Sequence, residues 1–298
     1  MIISCVAGIP KTILTHMPWY IYPLGSAVFF ASQELLMRVM AVRSHSPRVA
    51  SVIFNLWGAV FAVTLFLLQK GSFRQLFDLT WSQYALLVAA IILYGLYERF
   101  QFFARKGVEA STLAILFKLT TVIAFTGSIV LLGELLTFHK MFGALLIVGG
   151  TLLLVYRNPK FEFTPAFGFA IFCVVIMGIA QVVDKLASAP MSATLYSFIL
   201  WTAPICIIAF PGFTKREFFS ELKIGSWKVP LAAFLNVSGY ILLIRAYALA
   251  DASRVIPIMS INGILAVLGG IVLLRERDHL WRKLAAGLIA FTGVYLLK

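Results

Sequence analysis

Apolar residues run through this chain in long stretches, and most charged residues collect in the short gaps between them. A helix needs about twenty apolar residues to cross the hydrocarbon core of a bilayer. Ten stretches qualify: residues 19–42, 49–69, 82–103, 109–132, 139–156, 165–186, 191–211, 228–248, 253–274 and 281–297. The pattern therefore predicts an all-α polytopic membrane protein with ten transmembrane helices. The gaps are short throughout. The longest, 212–227, contains KREFFSELK and predicts a helix lying on the surface. The break at Arg157-Asn158-Pro159-Lys160 divides the chain into 1–157 and 158–298, with five spans each. Because five is odd, the second half must enter the membrane from the opposite side. Two inverted five-helix repeats are the expected architecture, with substrate bound near the midplane between them.

The halves are also related in sequence. From Glu109 to Glu134 the chain reads EASTLAILFKLTTVIAFTGSIVLLGE, and from Asp251 to Glu276 it reads DASRVIPIMSINGILAVLGGIVLLRE. Aligned without gaps, Glu109, Ala110, Ser111 and Glu134 fall on Asp251, Ala252, Ser253 and Glu276, and Lys140 falls on Arg282 in the approach to the next span. Repetition at fixed spacing has to be recognised before any local motif is interpreted. An acid-Ala-Ser start, a Leu-x-Glu end, a basic linker and a glycine-bearing helix (Gly143 and Gly150; Gly287 and Gly293) resemble the paired EamA-type domain of the drug/metabolite transporter (DMT) superfamily. The resemblance covers nearly the whole chain as two tandem copies. It implies export of amino acids or related amphipathic metabolites, sometimes uptake or exchange. Many members carry a proline about a dozen residues before Leu-x-Glu; here those positions lie near Thr121 and Gly263. Asn262-Gly263 is therefore the expected hinge in the ninth span.

Composition narrows the class. The chain of 298 residues is 61% hydrophobic and 12% charged, against roughly 25% charged residues in soluble domains. The net charge of +13 is accounted for by topology and lipid headgroups, because the basic residues sit between apolar runs. Nucleic acid is not an expected partner. Cys5, Cys173 and Cys206 form no close pair, so neither a disulfide nor a metal site is expected. The N-terminus lacks a basic start and a small-residue cleavage site and is expected to remain in the mature chain. Related transporters usually keep both termini in the cytoplasm, but the gaps on the opposite side hold twice as many Lys and Arg. The positive-inside rule thus favours termini outside.

Ionisable and polar groups inside a span are costly and tend to face the bundle interior. In the first span Glu34 and Arg38 share a face; in the sixth Gln181 and Lys185 do, with Asp184 beside them. Tyr94, Glu98 and Gln101 share a face of the third span, and Asn236, Tyr240 and Tyr247 one of the eighth. Ser111, Lys118 and Thr121 align in the fourth, with Ser253, Ser260 and Gly263 as counterparts in the ninth. The expected substrate-binding set is Lys118, Glu98, Tyr94, Asn236, Tyr240, Ser260, Asn262, Gln181, Glu34 and Trp201.

Several of these residues also have a plainer structural reading. Arg38, Asp184 and Lys185 lie near helix ends and are expected to snorkel to the interface. Glu34 is expected to pair with Arg38, and Trp57, Trp201, Tyr94 and Tyr240, which could stack on a flat substrate, are expected to pack. Small residues such as Gly143, Gly149, Ala285 and Ala286 are assigned to helix packing. Glu134 and Glu276 should anchor the turn into the next helix. Lys118 lies too deep to snorkel. If the third and fourth spans form a tight hairpin, Glu98 and Lys118 lie at depths of about 12 and 18 Å from its turn. They would then pair across it, with Arg245 as a second cationic contact nearer the surface.

The leading functional expectation is a secondary transporter, an exporter or exchanger of a small amphipathic metabolite such as an amino acid, in the cell membrane. The absence of GxxxxGK[ST] removes ATP as direct energy source. Implied partners are a zwitterionic or anionic small molecule, the lipid bilayer and protons, taken through Glu98 or Glu34; no cofactor is required and a monomer suffices. A lipid-headgroup flippase of the same fold and an uptake carrier for a nucleoside- or nucleotide-like substrate are the alternatives. An intramembrane enzyme is disfavoured, since His16, His45, His139 and His279 lie in tails or linkers and no HExxH occurs.

Overall fold

Helix boundaries follow the punctuation of the sequence. The computed structural model describes residues 18–108, 110–155, 164–265 and 280–297. The N-terminal tail, Glu109, the 157–160 break and Glu276 lie outside the described residues, as do the side chains of Arg38, Ser111, Arg282 and Ala286. In chain order the helices are α1 (Ile21–Arg43), α2 (Pro47–Leu68), α3 (Arg74–Phe77), α4 (Trp81–Gly107), α5 (Ala110–Leu132) and α6 (Phe138–Val155). They continue as α7 (Pro165–Ser188), α8 (Ala193–Thr202), α9 (Ile205–Ala209), α10 (Lys215–Gly225), α11 (Lys228–Leu249), α12 (Ala252–Met259) and α13 (Leu280–Leu297).

Starts are capped. Pro47 and Pro165 occupy the first turns of α2 and α7, where no N–H is missed. Thr80 and Thr214 open α4 and α10 through capping boxes with Gln83 and Glu217. The seventh apolar stretch is split at Ala203-Pro204 into α8 and α9, because proline cannot donate into a continuing ladder. The 212–227 gap does contain the expected helix, α10. Glu221 on it accepts from the His45 and Ser46 N–H groups at 2.7 and 2.6 Å, satisfying donors at the start of α2.

Helices α2, α4, α7 and α11 are each long and apolar enough to cross a membrane. With the shorter apolar helices around them they make an all-α, multi-pass membrane protein. The packing places α7 against both α4 and α5, α11 against α1 and α2, α6 against α13, and α12 against α5. By contrast α4 and α5, adjacent in sequence, touch only slightly. Gly178 of α7 lies against Ile123 and Thr120, and Gly127 of α5 lies against Val182, so it is α7 that seats α5 closely.

Small residues serve packing at one crossing in particular. A Cβ on Gly293 would stand 2.6 Å from the Gly143 carbonyl oxygen, and one on Gly143 would stand 2.9 Å from that of Gly293. Backbone cannot yield as a side chain can, so α6 and α13 depend on both glycines for this approach. Gly149 and Gly287, in contrast, face open space. Gly293→Ala should destabilise the folded protein by about 1–3 kcal/mol, the usual cost of overpacking, while Gly287→Ala should not. Thermal melts of the two variants in detergent check this, and equal melting points would contradict it.

Candidate functional site

The polar residues of the spans gather into three sets. The first is centred on Glu98 of α4, which is 8% exposed. Its Oε2 accepts from Asn55 Nδ2 of α2 at 3.0 Å and from Gln101 Nε2 one turn along its own helix. Arg105 Nε donates to Gln101 Oε1 at 3.2 Å, with the guanidinium over the Phe117 ring. Buried charge needs donors of this kind to offset lost hydration.

Lys118 of α5 forms the second set, 9% exposed. Its Nζ donates to the Ser260 carbonyl at 3.0 Å and to Asn262 Oδ1 at 3.4 Å. The carbonyl is available because the ninth span is broken there. Helix α12 ends at Met259, Ser260-Ile261 form a turn, and helix resumes over 262–265. Ile264 N–H donates to the Ile261 carbonyl at 2.8 Å instead of continuing the ladder to Ser260. Asn262 Oδ1 also accepts from the Gly263 N–H at 2.8 Å, a local side-chain to backbone bond that favours leaving the helix. The break thus falls one to two residues before the expected Asn262-Gly263 hinge. Pro257 lies inside α12 just upstream, where it leaves the Ser253 carbonyl without its ladder donor, so this span is irregular on both sides of Pro257. Glu34 of α1, half-buried, lies within electrostatic reach of both Lys118 and Arg105.

Asp184 of α7 forms the third set. It is fully buried, and three phenols donate to it: Tyr94 to Oδ2 at 2.6 Å, Tyr196 to Oδ1 at 2.7 Å and Tyr240 to Oδ1 at 3.1 Å. The Tyr94 and Tyr240 rings meet edge to face, and Tyr196 and Tyr240 stack.

Several expectations are corrected by this arrangement. Glu98 and Lys118 do not pair: α7 separates their helices, turning Glu98 towards α2 and Lys118 towards α12. Asp184 does not snorkel, because α7 runs on to Ser188 and Tyr94, Tyr196 and Tyr240 cover the carboxylate. Nor does Lys185, whose ammonium caps the C-terminus of α11 at the Tyr247 and Ala250 carbonyls. Arg245 is engaged with Gln69 of the α2 end at 3.4 Å, away from the three sets. Trp201 is a packing residue, 7% exposed, lying over Gly58 and edge-on to Phe54. Gln181 is buried with its Oε1 unpartnered, and Asn236 is half-buried a turn before Tyr240. Asn55 and Tyr196 were missed, being unremarkable in isolation.

Glu134 acts on a different helix from the one expected. Its Oε1 and Oε2 accept from the Ala252 and Ser253 N–H groups at 2.8 and 2.9 Å. The Leu-x-Glu of one copy therefore caps the acid-Ala-Ser start of the other. Beside it Lys140 Nζ pairs with Asp251 at 2.7 Å, and this ion pair holds the Asp251 carboxyl below its ordinary range. A depressed folded-state value means the stabilisation is present above the ordinary carboxylate range and is lost as pH falls from there through the depressed value. With Asp251 half exposed, solvent screening keeps it to about 1 kcal/mol or less. Lys140→Met should lower the melting point at neutral pH, and by less as pH falls through the depressed Asp251 value, the remainder being the lost bond to the Leu135 carbonyl.

Residues 17–156 match the EamA-like transporter family. A solved crystal structure aligns with a TM-score of 0.70 at 17% identity, covering 94% of this chain and 97% of that one, which establishes a shared overall fold. No curated protein matches the sequence. The chain is thus a multi-pass membrane protein whose first half is similar to the EamA-like transporter family.

Proposed function

We propose that the chain is a ten-span secondary transporter of two inverted halves, 1–157 and 158–298, which moves a small zwitterionic or anionic metabolite such as an amino acid, by export or exchange. The packing supports inversion, because equivalent helices exchange partners: α1 lies on α11 as α7 lies on α4, while α6 meets α13, α5 meets α12 and α2 meets α8. The observation that carries the site is Lys118 reaching the broken ninth span. Its ammonium is held by a neutral carbonyl and an amide oxygen, both weaker partners than a carboxylate. A substrate carboxylate would displace them, releasing Ser260 and freeing the segment beyond the break to move. Arg105 offers a second cation, and Glu34 and Glu98 accept an ammonium; Tyr94, Tyr240, Asn236, Gln181 and Ser260 complete the interior lining.

A thermal-shift screen on the purified protein tests this reading. A ligand that binds only the folded state adds about 2.7 kcal/mol at a hundredfold excess over its Kd. Amino acids or small anions are expected to raise the melting point, and proteoliposomes should then accumulate or exchange the same compound. A response confined to lipid headgroups would favour a flippase of the same fold. A response confined to cations or neutral solutes would overturn the site assignment.

A further inference from the structure

Asp184 is a fully buried carboxylate with no ion-pair partner among the described residues. Among the described residues the one ion pair is Lys140–Asp251, at the end of the bundle. Lys185, next in sequence, spends its ammonium on backbone carbonyls of α11. The groups that face Asp184 are Tyr94 from α4, Tyr196 from α8 and Tyr240 from α11. Tyr247 of α11 lies near enough for its phenol to feel the carboxylate, while α5 and α12 bring no titratable group to bear on it. An uncompensated charge at such a place costs several kcal/mol, and intramembrane carboxylates of this kind mark functional sites by default.

The hydrogen bonds depend on the ionised form. With the carboxylate ionised, all three phenols donate to it. Once one oxygen carries a proton it must donate, and a tyrosine that was donating to it has to turn or withdraw. Two buried groups with no hydrogen-bond partner lie on the helices that carry this set, the Tyr247 hydroxyl on α11 and Gln181 Oε1 one turn before Asp184 on α7. The change falls where α4 of the first half meets α7, α8 and α11 of the second.

We propose that Asp184 and its collar of Tyr94, Tyr196 and Tyr240 form the proton-binding site that couples this transporter to a proton gradient. A proton enters from water on one side and bonds to a carboxylate oxygen, taking the side chain from negative to neutral. One phenol bond is given up, the junction of the halves loosens, and the proton leaves to water on the other side. This rests on the transporter reading but not on the substrate, so its test uses protons alone.

The full chain in lipid nanodiscs is taken from about pH 8 to about pH 5 while infrared difference spectra record the protonated-carboxyl stretch. Hydrogen exchange over 193–202, corrected for intrinsic rates, is followed in parallel. In the wild type the carboxyl band should grow and exchange should rise about tenfold, the effect of one lost charge-assisted bond. Asp184→Asn should lose that component of the band and exchange at one corrected rate at both pH values. If Asp184→Asn fails to fold, Tyr196→Phe serves: the carboxyl band should persist at a displaced frequency. A band unchanged in Asp184→Asn, an unshifted band in Tyr196→Phe, or pH-independent exchange in the wild type would overturn the proposal. None of these outcomes bears on whether Lys118 binds substrate.

Discussion

Lys118→Met is expected to abolish transport while the protein folds, elutes and retains its helical content. Methionine has nearly the length of lysine and is at home in an apolar interior, so little packing is lost. What disappears is the ammonium that bonds Ser260 and Asn262 at 3.0 and 3.4 Å. Two effects on stability oppose each other. The Ser260 carbonyl loses a donor it cannot regain from Ile264, whose N–H is committed to Ile261, and an unsatisfied buried group costs about 1–3 kcal/mol. Against that, burying an ammonium carries a desolvation penalty of several kcal/mol, which the variant no longer bears. Melting should therefore shift little in either direction. Function has no such compensation, because a substrate carboxylate would meet no cation in the α5–α12 junction. Transport of the compound identified by thermal shift is the measurement, with the ligand-induced shift itself expected to vanish. A variant that transports at the wild-type rate would remove Lys118 from the site. Loss of transport with an undiminished ligand shift would move its role from binding to gating.

The sequence carries much of this architecture, for physical reasons that also mark where it stops. Span positions follow from the length of apolar runs, and caps such as Thr80, Ser192 and Thr214 sit where a polar residue precedes each run. Partners across the bundle are another matter. The Glu98–Lys118 pairing was inferred from a hairpin, yet sequence neighbours need not pack, and here α7 takes the place each helix would have had against the other. Depth along a span, which the sequence does encode, constrains the axial coordinate and leaves azimuth open. Asp184 shows the same gap. Its place near the end of a predicted span suggested access to water, whereas tyrosines from three other helices cover it. A signal was available: an aspartate in an apolar run can stay charged only with several donors, and Tyr94, Tyr196 and Tyr240 are phenols within other runs. The break in the ninth span is legible in kind through Asn262, whose side chain bonds the Gly263 N–H, but its position one to two residues earlier is set by the Lys118 contact at Ser260, which comes from another helix.

Glu134→Ala should lower the stability of the whole protein by about 2 kcal/mol or more, with α12 fraying from its start. The carboxylate accepts from two consecutive backbone N–H groups, at 2.8 and 2.9 Å, at a helix N-terminus where the macrodipole adds to the attraction. Asp251, at the N-cap position, makes no side-chain cap bond and is turned to Lys140 instead, so it cannot replace the missing acceptor without giving up that pair. The helix that would fray is short, eight residues, and ends at the Ser260 break, so it has few internal bonds to fall back on. Its ordering therefore leans on Glu134 at one end and Lys118 at the other, both reaching it from the first half of the chain. Glu134→Gln keeps an acceptor oxygen and should lose about half as much, which separates the cap from general disruption of the turn. Hydrogen exchange over 252–259 and thermal melts of both variants provide the check. An alanine variant that melts with the wild type, with α12 equally protected, would show that water satisfies these two N–H groups and that the contact between the repeated motifs is incidental.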